Sequence, residues 1–371
     1  MQLFNYRKKR KRRFHASYSP GFNQRHHKRR RRDSKGGWKV LLILVLVLGA
    51  IGGVGFGGFV YLRETGKKDL LKYAGSVEMQ LDAEQDEAGL VSKNGKKYRY
   101  NEDIITLLCM GIDQGNEGWE EAAEQGENGQ ADAIFLLVLD QQAQDMKLIG
   151  ISRDTMTKIA TYDYQGNYVG ESVNHLALSF SYGETKNQGA ELVMDAVSKL
   201  FYHLPIHGYA AIDWDALGKI NDSVGGVKVI LTEDMVLGGD HYEAGDAVRL
   251  TGNQAKSYVR HRGNELGSNN ERMQRQKAYA TAFIAEARGA IEKDLFLIVD
   301  LYQELTSDMA TSIGVNEAVY LASLLPSIHF GTEDIYTLEG TVKQGTPYEE
   351  FYVDEEKLMD LLLEIFYEEV E

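Results

Sequence analysis

Of 371 residues only one is cysteine, Cys109, and only four are proline. A lone thiol excludes any disulfide within the chain, so stability has to come from a buried core, and it makes a thiol enzyme a poor fit. Neither an HExxH motif nor any paired His/Cys spacing is present, which removes the usual zinc sites. No internal repeat is evident, and no proline- or glycine-rich linker divides the chain after residue 101.

Acidic residues are missing where basic ones crowd. Between Met1 and Gly37 there are fourteen Lys and Arg against one acid, Asp33, so this stretch is near +13 and the remainder near −27. The basic block is low in complexity and lacks a helix-turn-helix pattern, so anionic lipid headgroups suit it better than nucleic acid. Immediately after it, Val40 to Leu62 contains no charged residue. As a helix this run would reach roughly 35 Å at about 1.5 Å per residue, enough to cross a hydrocarbon core about 30 Å thick. A cleaved signal peptide is the alternative, but the run is longer than a usual h-region and no small-x-small cleavage site follows. With basic residues before the span and acids from Glu78 to Glu87 after it, the N-terminus is expected in the cytoplasm and the bulk of the chain outside.

The expected organisation is therefore a basic cytoplasmic tail (1–37), a transmembrane helix (38–62), an extracytoplasmic stalk (63–101), a catalytic domain (102–294) and a mostly helical C-terminal extension packed on it (295–371). Ile104 to Met110, Ala133 to Leu139 and Met146 to Ile151 are apolar runs of strand length, expected as buried central strands. Leu192, Val193, Ala196, Val197 and Leu200 recur at helical spacing, giving an amphipathic helix to cover a sheet. Tyr209 to Ile212 and Val227 to Leu231 add strands, Trp214 to Ile220 a short helix and Glu271 to Lys293 a long one. The fold class is α/β, a sheet flanked by helices.

Three clusters carry chemistry. Asp113 follows the first strand and Asp132 precedes the second, so neighbouring strands can bring their carboxylates together as a hard-cation site for Mg²⁺; solvated turn aspartates are the bland alternative. Arg153 and Asp154 follow the third strand, where a guanidinium can fork onto phosphate while the acid orients it, or where the two form a simple loop-stabilising pair. Arg260 and Arg262 close one element, and Arg272, Arg275 and Gln276 open the long helix at i, i+3 and i+4, a spacing that favours one face. Guanidinium groups near a helix N-terminus suit a pyrophosphate; the competing use is pairing with Glu265 and Glu271.

The order of segments Leu108-Cys109-Met110-Gly111-Ile112-Asp113, Ala131-Asp132-Ala133, Gly150-Ile151-Ser152-Arg153-Asp154-Thr155, Val173-Asn174, Val224-Gly225-Gly226-Val227, Leu250-Thr251-Gly252, Tyr258-Val259-Arg260-His261-Arg262 and Arg272 to Gln276 resembles the LytR-CpsA-Psr family over about residues 101–293. The resemblance implies an α/β/α sandwich with a mixed central β-sheet, preceded by one transmembrane helix, with a deep apolar channel for a polyprenyl chain and a pyrophosphate at its mouth. It implies an Mg²⁺-dependent phosphotransferase of the cell membrane that moves a glycopolymer from a polyprenyl-pyrophosphate carrier to a peptidoglycan hydroxyl, releasing polyprenyl phosphate. Asp113 and Asp132 would correspond to the metal carboxylates; Arg153, Arg260, Arg262, Arg272 and Gln276 would form the pyrophosphate clamp. Asp154 would be a base or an orienter of Arg153. No nucleic acid is expected as a partner. Ser152 stands where the family often has proline, Ser172 where it has lysine, and Asn269-Asn270-Glu271 where it has Asp-Phe-Gly; an arginine common after the first aspartate is absent. A non-catalytic binder of lipid-linked sugars, and a pyrophosphatase acting on the same lipid, are the alternatives.

Overall fold

The computed structural model describes residues 57–72, 90–113, 128–163, 165–261, 268–345 and 348–370, with the side chains of 268–271 left out. The basic tail and residues 38–56 of the expected membrane span lie outside the described residues. Among the described residues no helix is long and apolar enough to cross a membrane.

A mixed six-stranded sheet organises the chain, in the order Met309–Thr311, Gly208–Ile212, Ile104–Asp113, Gln130–Asp140, Asp145–Ile151, Ile335–Thr337. The three long central strands pair antiparallel as a meander. Gly208–Ile212 runs parallel to the first of them, and Ile335–Thr337 parallel to the third. Both outer strands, Met309–Thr311 and Ile335–Thr337, come from the segment expected to be a mostly helical extension. That segment is therefore part of the sheet. Each of these strands has three residues, too few for a period-2 pattern to show against the helices Leu297–Leu305, Val315–Leu324 and Glu355–Phe366 around them.

Alternation along the strands separates two packed layers. Leu108, Met110, Ile112, Leu136 and Ile149 face the helices Lys186–Leu200 and Glu355–Phe366, which supply Ala190, Val193, Val197, Leu358, Leu362 and Phe366. Ile105, Leu107 and Leu139 face the other way and meet Leu70, Tyr320 and Ile328. A third cluster joins the antiparallel pair Val227–Ile230 and Ala247–Leu250 to the helix Gly252–Arg260 and to Tyr279 of the long helix Ser268–Lys293.

Part of the expected stalk is docked. The helix at 57–72 lies against Val315–Leu324: Leu70 is buried, the Arg63 Nε donates to Ser323 Oγ at 3.0 Å, and a Cβ on Gly66 would fall 2.0 Å from the Asn316 carbonyl oxygen. Only glycine permits that approach. Val91–Lys93 and Lys96–Tyr100 form a small sheet with the C-terminal strand Tyr367–Val370, so residues before the expected catalytic domain pair with residues after it.

Leu136 lies mid-sheet with no exposed surface. Leu136→Ala is expected to lower unfolding stability by about 2–5 kcal/mol, the loss of a fully buried leucine plus the cavity it leaves. Denaturant unfolding followed by circular dichroism measures it.

Candidate functional site

The register between Ile104–Asp113 and Gln130–Asp140 slips once, with Gly111 opposite Ala133 and Ile112 opposite Ala131. Asp132 is the residue left over. Such a bulge kinks the strand and re-aims one side chain, and both Asp132 and its neighbour Ala133 line a polar pocket at the end of the sheet.

Arg153 reaches this pocket from the loop after Asp145–Ile151. That loop is tied at every carbonyl: Arg153 O accepts from Ala177 N at 3.1 Å, Asp154 O from Phe351 N at 2.8 Å and Thr155 O from Leu176 N at 2.9 Å. Ser152 accepts Asp154 N on its hydroxyl at 3.2 Å and Thr155 N on its carbonyl at 3.1 Å, so a side-chain turn holds the start of the loop. The Arg153 guanidinium donates to Asp132 Oδ1 and, at 2.6 Å, to Gln130 Oε1. Its Nε lies 3.6 Å from Asp154 Oδ1.

The long helix closes the pocket with Arg272, Met273 and Gln276. Arg272 Nη1 stands 3.7 Å from Asp132 Oδ2, and both side chains are largely buried. One carboxylate thus meets two guanidinium groups from two elements. Burial raises Asp132 above the ordinary aspartate range against the pull of Arg153 and Arg272, and the nearby charge of Asp113 adds to the rise. Burial likewise raises Asp154; Arg153, His175 and Arg272 oppose it, and Glu349 adds to it.

Arg275 goes elsewhere. It is buried, pairs with Glu233 and donates to His261 O at 2.7 Å, and it does not line the pocket. The reason is helical geometry: positions 275 and 276 are about 100° apart around the axis, on opposite flanks of 272, so the i+3 and i+4 residues need not share a ligand. Arg260 is exposed, stacked over the Trp214 ring at 5.1 Å, and is not in the pocket wall. Arg262 lies outside the described residues. Gln130, His175 and the hairpin Gly340–Gln344/Glu349–Val353 were not found in the sequence; an uncharged amide in a polar stretch and a hairpin some 200 residues from Asp154 leave no local signal.

Beside the polar pocket lies an apolar cavity of about 320 Å³, between the sheet, the helix Trp214–Ser223 and the long helix. It exists because the sheet residues beneath it are small: Gly111, Ala133 and Ala210 face the space that Ile105, Leu107 and Leu139 fill at the other end of the sheet. A Cβ at Gly111 would approach that of Ala133 to 3.2 Å, closer than ordinary van der Waals contact. Ala133, Phe135 and Gln276 line both spaces, so the two adjoin. Cys109 faces the cavity, and burial pushes its thiol up to about 11, which keeps it protonated and unreactive at neutral pH.

Comparison with known proteins adds the following. A family model described as the LytR_cpsA_psr family matches residues 70–363. The polyisoprenyl-teichoic acid–peptidoglycan teichoic acid transferase TagU of Bacillus mycoides is 26% identical over 271 residues, 73% of this chain and 79% of the relative. TagU of Bacillus cereus is 25% identical over 321 residues, 86% and 95% of the two chains. Among solved structures, B. subtilis TagV superposes with a TM-score of 0.55 at 22% identity, covering 70% of this chain and 94% of the other. TagT bound to LIIa-WTA gives 0.53 at 19% identity, covering 71% and 89%. The structural likenesses establish the fold.

Two substitutions separate structure from site. Arg275→Ala is expected to cost about 1.5–3 kcal/mol of stability, as loss of a charged hydrogen-bond set. Asp154→Asn is expected to be no less stable than wild type at pH 7: a carboxylate whose folded pKa is raised favours folding below its unfolded pKa and loses that contribution as pH rises through the folded one. Any gain from Asp154→Asn should fade as the pH is lowered to about 4, where the free carboxyl is also half protonated. Melting curves of the variants across pH check both.

Proposed function

Since the chain belongs to the LytR-CpsA-Psr family, we propose that it is a transferase that moves a phosphate-linked glycopolymer from a polyprenyl-pyrophosphate carrier onto peptidoglycan. The observation that carries this reading is the adjacency of a guanidinium-lined polar pocket and an apolar cavity, sharing Ala133, Phe135 and Gln276. A pyrophosphate with a prenyl chain on one side needs both surfaces side by side. The names of the relatives, as teichoic acid transferases, support the same class of substrate.

In this reading Arg153 and Arg272 take the two phosphates. Both now lean on Asp132, so their forks are already directed into the pocket. Their charge offsets the negative charge on the phosphoryl oxygens, which is most of what a protein contributes to phosphoryl transfer. An acceptor hydroxyl, by family analogy the C6 hydroxyl of a muramic acid unit, attacks the sugar-linked phosphorus. The bond from that phosphorus to the bridging oxygen breaks, and polyprenyl monophosphate leaves with the electron pair. Asp154 stands beside Arg153 with a protonation point raised by burial, which suits a group that takes up the hydroxyl proton.

Asp113 and Asp132 would hold an Mg²⁺ ion. Carboxylates at the paired ends of two neighbouring strands supply the hard oxygens such an ion takes, and Asp132 would accept it as Arg153 and Arg272 turn from its oxygens toward the phosphates. When bound, the ion supplies charge neutralisation at the phosphoryl oxygens. The segment 38–62 would anchor the chain in the cell membrane with the α/β body outside.

The test is release of polyprenyl monophosphate from a synthetic polyprenyl-pyrophosphate sugar by the purified full chain, with Mg²⁺ and peptidoglycan supplied. Sugar is expected on the peptidoglycan, with turnover lowered at least about 100-fold in Arg153→Ala and Arg272→Ala, the order seen when one charge-stabilising donor is removed. Tight binding of the lipid without turnover would make the protein a non-catalytic binder instead. Release unaffected by peptidoglycan would make it a pyrophosphatase.

A further inference from the structure

On the lipid-donor reading above, we propose that Trp214 is a positioning residue that couples occupancy of the apolar cavity to the placement of Arg260, whose guanidinium lies over its ring. Its indole ring belongs to the wall of the cavity, and the guanidinium carbon of Arg260 lies over that ring, 5.1 Å from its centroid. One rigid plane is therefore in contact with both the lipid space and a phosphate-seeking cation.

Arg260 is the last residue of the helix Gly252–Arg260, and among the described residues no acid pairs with it. Arg153 and Arg272 are oriented by Asp132, and Arg275 is engaged by Glu233. An arginine fixed by stacking keeps its N–H groups available to an anion, since the ring uses the face of the guanidinium and leaves the edge. Whatever fixes the ring then fixes the cation.

The backbone that carries the ring is fixed by a helix cap. Trp214 opens the helix Trp214–Ser223, whose N-cap Asp213 accepts from Asp215 N at 2.9 Å and Ala216 N at 2.8 Å. The indole N–H is buried and has no hydrogen-bond partner. A chain bearing a phosphate at one end offers apolar bulk against the ring, and an anion for the arginine stacked on it.

The experiment uses the full chain in detergent with Trp38→Phe and Trp119→Phe, which leaves Trp214 as the sole indole. Polyprenol and polyprenyl monophosphate of equal chain length are titrated, with indole emission followed and radiolabelled lipid binding measured independently. Polyprenol alone is expected to shift the emission, and polyprenyl monophosphate to shift it further; Arg260→Ala should abolish only the second increment. Against polyprenyl monophosphate, Trp214→Ala and Arg260→Ala should each weaken binding roughly two- to thirtyfold, the span of a cation–π contact, while Trp214→Phe, which keeps a ring, stays near wild type. Combining the two alanine changes should weaken binding no more than the larger single loss. If lipid binds with emission unchanged, or if the losses in the double variant multiply, the coupling is overturned and the lipid-donor reading stands. Failure of radiolabelled lipid to bind the unaltered chain would overturn that reading and the coupling together.

Discussion

Asp132 is a carboxylate displaced from its strand by a bulge, largely withdrawn from water, and held by two guanidinium groups that come from two separate elements further along the chain. Arg153 arrives on a loop whose carbonyls are all occupied, and Arg272 on the long helix. Removing either arginine leaves a buried charge short of compensation; removing the acid leaves two cations facing each other. The polar pocket, the seating of the long helix and the direction of both forks depend on this one arrangement. It also explains how a region with a large excess of acids keeps arginines concentrated at one end of its sheet.

The same sheet makes the second compartment by omission. At one end its outward side chains are Ile105, Leu107 and Leu139, which pack solidly; at the other they are Gly111, Ala133 and Ala210, which do not reach the helices above them. Leaving space costs packing energy, so a cavity kept open beside a cationic pocket is a feature with a use. Phe135 and Gln276 stand on the boundary, one apolar and one polar, as the junction between a lipid chain and its phosphates requires.

The three long strands were legible because each is a run of mostly apolar residues of strand length, and the helix Lys186–Leu200 because its apolar stripe is regular. Met309–Thr311 and Ile335–Thr337 were not, since three residues carry no pattern and their pairing is decided by the strands they join. Of the site, Asp132 and Arg153 could be found near strand ends, and Arg272 and Gln276 from their i, i+4 spacing, although the helix that carries them starts at Ser268 and places them inside it. Arg275 could not be sorted from its neighbours by spacing alone: its partner Glu233 is 42 residues away, and only tertiary packing decides which flank of a helix turns inward. Trp214 reads in the sequence only as the start of a short helix, and its contact with Arg260 depends on how two helices meet.

The account rests on two adjoining compartments serving one ligand, and the structure of the chain bound to a polyprenyl-pyrophosphate sugar tests that directly. The pyrophosphate should lie between Arg153 and Arg272, with the first prenyl units over Gly111, Ala133 and Ala210. A pyrophosphate bound away from these arginines, or a prenyl chain lying on the outer surface with the cavity still empty, would contradict it.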